Sequence, residues 1–142
     1  MGTTENKEVV RQFYESIMNQ TGPADLDPLM AEDFVDHGET LFGSPKGREI
    51  LEGGIDYVHG ILPDLHVNLE DMIASGDMVG VRGTMRVTHS GPLAGVEATG
   101  NELKWNGIAM FRVVDGKIAE RWFNSDSLSI VTQLGLYSPG QH

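Results

Sequence analysis

Leu65-His66-Val67-Asn68-Leu69-Glu70 and Val79-Gly80-Val81-Arg82-Gly83-Thr84-Met85-Arg86-Val87-Thr88 decide the fold. Apolar residues fall on alternate positions in both runs, at Leu65, Val67 and Leu69, then at Val79, Val81, Met85 and Val87. Period two reads as strand with one face buried. Ser75-Gly76-Asp77 supplies the turn between the two runs. Downstream, Leu103, Trp105, Ala109, Phe111 and Val113 share one parity, and Asp115-Gly116 marks a tight hairpin. Ile118, Glu120 and Trp122 share a parity in a last strand. The sequence therefore predicts four consecutive long strands joined by hairpin turns.

Upstream of Pro63 the period is helical. Val10, Phe13 and Ile17, widened by Val9, Tyr14 and Met18, mark a helix from about Glu5 to Asn19. Thr3 or Thr4 can cap it, and Thr21-Gly22-Pro23 stops it. A short second helix is expected at Leu26 to Met30. A third is expected to begin at Ser44-Pro45, with Leu51, Ile55, Val58 and Leu62 as its apolar stripe. Gly53-Gly54 either weakens it, by roughly 1 kcal/mol per glycine, or lets a backbone or ligand come close. Asp126 opens a closing helical turn through Leu134. Helices followed by strands read as α+β, with helices on one face of an antiparallel sheet. The gap between them can hold a pocket.

Composition bounds the function. The chain has 142 residues, which fits residues 1–142 as a single domain with a real core. Ten Lys and Arg against 21 Asp and Glu give a net charge of −11, which argues against nucleic acid and anionic membrane surfaces as partners. The sequence has no cysteine, so disulfides, thiolate metal sites and cysteine nucleophiles are excluded. No His-Glu-x-x-His pattern is present, and no metal site is expected. No signal-peptide core or membrane-length apolar run is seen, so a cytoplasmic protein is expected.

An ordered series of short motifs resembles a known family. Asp33-Phe34-Val35-Asp36-His37-Gly38 comes first, then Leu62-Pro63-Asp64-Leu65-His66, Ser75-Gly76-Asp77 and Thr88-His89-Ser90-Gly91-Pro92. Ala98-Thr99-Gly100, Phe111-Arg112-Val113, Asp115-Gly116-Lys117-Ile118-Ala119-Glu120 and Trp122 continue the series, which closes with Asp126 and Gln133-Leu134-Gly135. Together they are similar to the SnoaL-like polyketide cyclases of the nuclear-transport-factor-2-like superfamily. The resemblance implies a cone: a curved antiparallel or mixed sheet wrapped by N-terminal helices around an apolar cavity. It implies a hydrophobic small-molecule ligand, and homodimers, sometimes tetramers, formed through the sheet. It also implies a ring closure by intramolecular aldol condensation that uses no cofactor. Fold alone does not fix function, so a non-catalytic small-molecule binder and an interaction module stand beside the enzyme.

The resemblance implies Asp126 as general acid and base. A carboxylate can remove the proton between two carbonyl groups and return it to the new alkoxide, best when apolar walls raise its pKa. Asp126 also reads simply as the N-cap of the last helix. His37 can polarise a substrate carbonyl or anchor its loop. Tyr14, His89, Trp105, Phe111 and Trp122 are the candidate pocket residues. His59 and His66 read as surface residues, and Asp33 and Asp36 as solvated loop acids. Arg82 reads as the partner of an acid such as Glu120 or as an anchor for an anionic substrate. Many such cyclases carry a histidine where this chain has Phe111, which removes one donor for the substrate carbonyl.

Overall fold

The computed structural model describes residues 2–20, 25–38, 46–138 and 140. Helix α1 (Thr3–Gln12) runs without a break into a six-residue π-helix (Phe13–Met18). Strand β1 (Met30–Gly38), the two-residue strand β2 (Lys46–Gly47) and helix α2 (Arg48–Ile61) follow. Strands β3 (His66–Ser75), β4 (Met78–Thr88), β5 (Glu102–Val114) and β6 (Lys117–Ser125) come next, and helix α3 (Ser127–Gln133) closes the chain.

All six strands form one sheet in the order β2-β1-β6-β5-β4-β3. The four strands legible in the sequence make an antiparallel meander. The Asp115-Gly116 turn carries φ values of +51° and +79°, the left-handed pair that a two-residue hairpin of this type requires. The architecture is α+β and the sheet is mixed, because β1 lies parallel to β6. The sheet is not closed into a barrel; β2 and β3 are its edges. Among the described residues no helix is long and apolar enough to cross a membrane.

The short helix expected at Leu26 to Met30 is a single turn, in which the Leu26 carbonyl accepts from the Leu29 and Met30 N–H groups, and strand β1, which was not expected, follows it. Residues 27–29 form a turn, and Met30 already belongs to the sheet. The buried residues Met30, Phe34 and Asp36 share one parity, but alternation failed as a signal because the acids Glu32 and Asp36 stand on that parity and Ala31 and Val35 on the other. The expected stripe on α1 and the π-helix is buried: Val10 and Phe13 are fully enclosed, and Tyr14 and Ile17 nearly so. Gly2, not Thr3 or Thr4, stands at the N-cap, and it makes no side-chain capping bond. The expected Thr21-Gly22-Pro23 stop and the Ser44-Pro45 start lie outside the described residues. Helix α2 begins after Gly47 and buries Leu51, Ile55 and His59. A Cβ at Gly53 or Gly54 would meet nothing within 4 Å, so this pair serves no close approach.

A second register shift matters more. Arg112 pairs with Glu120, but Val113 pairs with Ile118, so Ala119 is an extra residue in β6. An extra residue flips the faces beyond it. Ile118 is in the core, yet Glu120 and Trp122 point to the outer face and Arg121 and Phe123 turn inward. The shared parity expected for Ile118, Glu120 and Trp122 is broken at this bulge.

Candidate active site

The inner face of the sheet, α2 and the π-helix enclose a cavity of about 300 Å³. Val67, Val81, Met85, Trp105, Ala109 and Phe123 form its floor, and Leu51, Ile55 and Val58 of α2 its roof. Tyr14, His59 and Arg121 contribute the titratable groups; no Asp or Glu lies among the described lining residues.

Arg121 is held from both sides. Its Nη2 donates to Asp36 Oδ2 at 2.7 Å and its Nε to Asp36 Oδ1 at 3.2 Å. The guanidinium lies 4.3 Å from the centroid of the Phe123 ring and 5.9 Å from that of Phe13, which suits a delocalised cation. Asp36 Oδ1 also accepts from the backbone N–H of Gly38, whose φ of +53° favours glycine. Both side chains are about nine-tenths buried. The inward parity that Asp36 shares with Met30 and Phe34, together with the bulge in β6, thus brings an acid and an unexpected arginine together inside the protein.

Tyr14 sits edge-on to Phe13 and Phe111, with centroids 5.3 and 5.9 Å away. Burial pushes its phenol up to about 12, and the Arg121 charge pulls it back in part. The phenol is therefore neutral at physiological pH and can donate a hydrogen bond.

The π-helix sets the third group. The Asn19 N–H donates to the Tyr14 carbonyl at 2.8 Å, a bond spanning five residues. Asn19 also exchanges two hydrogen bonds with the backbone of Val67, at 2.7 and 3.0 Å, which ties the helix end to the start of β3. The Met18 carbonyl at this end lies 2.9 Å from His59 Nε2. A carbonyl can only accept, so Nε2 carries the proton and donates. Among the described residues His59 Nδ1 is buried without a hydrogen-bond partner.

Of the residues expected from the sequence, Tyr14 and Trp105 line the cavity. The others are placed elsewhere. Phe111 is fully buried behind Tyr14. His37 and Trp122 stack at 4.7 Å on the outer face. His37 Nε2 lies 2.9 Å from Glu120 Oε2, while Arg112 donates to both Glu120 and Asp77. These bonds, that from His37 first, hold the Glu120 carboxyl below its ordinary range. His89 is wholly buried and clamps its loop through Thr99 Oγ1 at 2.9 Å and the Val96 carbonyl at 3.2 Å. Asp126 is exposed, and its Oδ1 accepts from the Ser129 N–H at 3.0 Å as the N-cap of α3. It lies one residue beyond Ser125, the last lining residue of β6. Arg82 pairs with Asp71, not Glu120, and is exposed.

The sequence reading missed Arg121, the burial of Asp36, and His59. The bulge hid Arg121. His59 had a signal: Leu51, Ile55 and His59 are spaced four apart, one face of a helix.

Comparison with known proteins agrees with this architecture. The family model of the SnoaL-like polyketide cyclases matches residues 8–134. IdmH of Streptomyces antibioticus, a candidate polyketide cyclase, is 30% identical, with a TM-score of 0.81 over 92% of this chain and 98% of its own. AclR of Streptomyces galilaeus, a candidate hydroxylase, is 22% identical, with a TM-score of 0.84 over 96% of this chain and 89% of its own. TsrD of Streptomyces laurentii is 23% identical, with a TM-score of 0.83 over 96% and 99%. No curated protein matches the chain.

Proposed function

The chain belongs to the SnoaL-like polyketide cyclase family, and from that premise we propose that it is a cofactor-free acid/base enzyme. Its substrate is a hydrophobic, polyketide-like carbonyl compound, and its reaction an aldol-type ring closure or a related isomerisation. One observation carries the reading: a neutral phenol and a buried arginine share one apolar cavity. The cavity's volume is at the lower end of the range for small-molecule sites, roughly 300–1,000 Å³.

The chemistry follows from the groups. Removing a proton next to a carbonyl sends an electron pair onto the carbonyl oxygen. Tyr14 can donate a hydrogen bond to that oxygen, and Arg121 adds positive charge from an already ordered position. Donors fixed in advance of the reaction need no reorganisation as the charge develops. The apolar walls strengthen both effects by excluding water. Asp126 could serve as the acid/base that the resemblance implies only by leaving its cap on α3.

The outer face of the sheet carries one apolar rung, Ile73, Gly80, Met110 and Trp122, aligned across β3 to β6. Ile73 and Met110 are exposed there. This rung is the proposed homodimer contact, and light scattering after gel filtration tests it with Met110→Glu, which should give a monomer.

A panel of aromatic β-dicarbonyl compounds, followed by mass spectrometry, tests the enzyme. Tyr14→Phe should lower kcat by about 10²–10³, the cost of removing one oxyanion donor. The lack of a carboxylate among the described lining residues favours a second reading, a non-catalytic binder. That reading wins if compounds bind the parent protein and none is consumed.

A further inference from the structure

We propose that His59 is the proton acceptor of the cavity. The inference rests on the acid/base reading above and names the residue that performs its first step. His59 is 7% exposed and lines the cavity from α2. Its Nε2–H is committed to the Met18 carbonyl at 2.9 Å. A neutral imidazole with Nε2 protonated holds a lone pair on Nδ1, which has no hydrogen-bond partner among the described residues and is closed to water, so a ligand in the cavity reaches it by displacing a neighbouring wall side chain. Buried polar atoms are nearly always paired within the protein, so an unpaired one calls for a ligand or a chemical role.

Elimination among the lining groups points the same way. Tyr14 is a neutral donor, Arg121 is a cation already bonded to Asp36, and no carboxylate lines the cavity among the described residues. Asn124 and Ser125 carry no basic lone pair of useful strength at neutral pH. Imidazole is the side chain most often used as a general base.

The step balances within the site. The carbon–hydrogen bond beside the substrate carbonyl breaks, its proton forms the Nδ1–H bond, and its electron pair becomes the enolate. After the new carbon–carbon bond forms, Nδ1–H returns the proton to the alkoxide. The Nε2–H···Met18 bond persists throughout, because both forms of the ring keep that hydrogen. The carbonyl dipole also favours the transient imidazolium. The π-helix places this carbonyl, so the irregular turn acts as the orienting partner of the base.

Two probes of like shape test this without knowledge of the substrate. 2-Naphthol offers a hydroxyl donor to Nδ1, and 2-methoxynaphthalene does not. The parent protein should bind 2-naphthol about tenfold more tightly, roughly the worth of one hydrogen bond at the upper end of its net range. His59→Leu should bring the two affinities together while retaining 2-methoxynaphthalene. His59→Gln, which keeps a donor for Met18 and offers an acceptor, should restore part of the preference. In ¹⁵N-labelled protein, Nδ1 should show the unprotonated signature and move when 2-naphthol is added. Equal affinities in the parent, a preference that survives His59→Leu, or a protonated Nδ1 in the free neutral protein would overturn the assignment and leave the enzyme reading standing. Failure of either naphthalene to bind would overturn both. Should His59→Leu not fold, the glutamine variant and the nitrogen signature decide.

Discussion

Replacing Asp36 with Asn tests whether Arg121 is held by a buried ion pair or by packing alone. The substitution is close to isosteric. An Asn side-chain oxygen can still accept from the Gly38 N–H, so the turn after β1 is kept. What changes is the partner of Arg121. Its two bonds of 2.7 and 3.2 Å lose their charge, and one meets an amide donor instead of an acceptor. The arginine side chain is 10% exposed, so water cannot take the carboxylate's place. Stranding one partner of a buried pair costs about 3–5 kcal/mol. Total stability is commonly about 5–15 kcal/mol, so the variant loses a large part of it. At this chain length the fall in Tm should be on the order of 10–20 °C. Urea unfolding read by circular dichroism gives the free energy directly, and calorimetry gives Tm. A double variant, Asp36→Leu with Arg121→Met, removes both charges and should recover most of the loss. A single-variant loss under about 1 kcal/mol would show that the pair behaves like a solvated surface bridge, and the argument for a preordered cation would fail.

Three other outcomes follow from the same geometry. Arg121→Met removes the charge that pulls the Tyr14 phenol down, so Tyr14 should ionise above its present value of about 12; ultraviolet titration of the three tyrosines checks it, with Tyr14→Phe identifying the signal. The Asp64 carboxyl is held below its ordinary range by bonds from the Thr88 hydroxyl and N–H, so its contribution is complete above the unfolded value near pH 4 and is lost as pH falls through the lower folded value. Asp64→Ala should therefore cost about 1 kcal/mol at neutral pH and flatten the acid limb of the stability profile. A Cβ at Gly107 would stand 2.7 Å from the Met85 methyl and force that flexible tip into the cavity, so Gly107→Ala should weaken naphthalene binding severalfold at nearly unchanged Tm, and adding Met85→Ala should restore it.

The meander was legible because its strands alternate over long stretches on either side of the register shifts in β3 and β6, and alternation is what one buried face imposes. Its helical cover was legible for the matching reason at period 3.6. The site was legible in part. Tyr14 and Trp105 sit in regular stretches, and both line the cavity. Asp36 keeps the parity of Met30 and Phe34 and was hidden by its charge, while Arg121 sits beyond the extra residue Ala119. Periodicity carries no information across such an irregularity, since one extra residue inverts the faces. His59 fell to a different cause. A histidine at a core spacing is ambiguous until its partner is known, and its partner here is a backbone carbonyl 41 residues away, invisible to any local pattern.

The π-helix between Phe13 and Met18 has a consequence for how this chain can be edited. A π-turn is an α-helix carrying one surplus residue, wound in at the cost of geometry. Each residue of an α-helix turns the chain by about 100°. The π-turn absorbs its surplus within itself, so its two ends keep the phase of one continuous α-helix. Deleting a single residue within 13–18 would let the segment relax into that α-helix with Asn6 and Val10 still facing the core. A deletion in the regular turns of α1 has no such slack. Everything on its N-terminal side would rotate by about 100°, carrying Asn6 away from the core and the exposed Glu5 into its place. Among homologous chains, length should therefore vary by one residue at the π-turn more readily than along α1, for reasons of angle more than of chemistry.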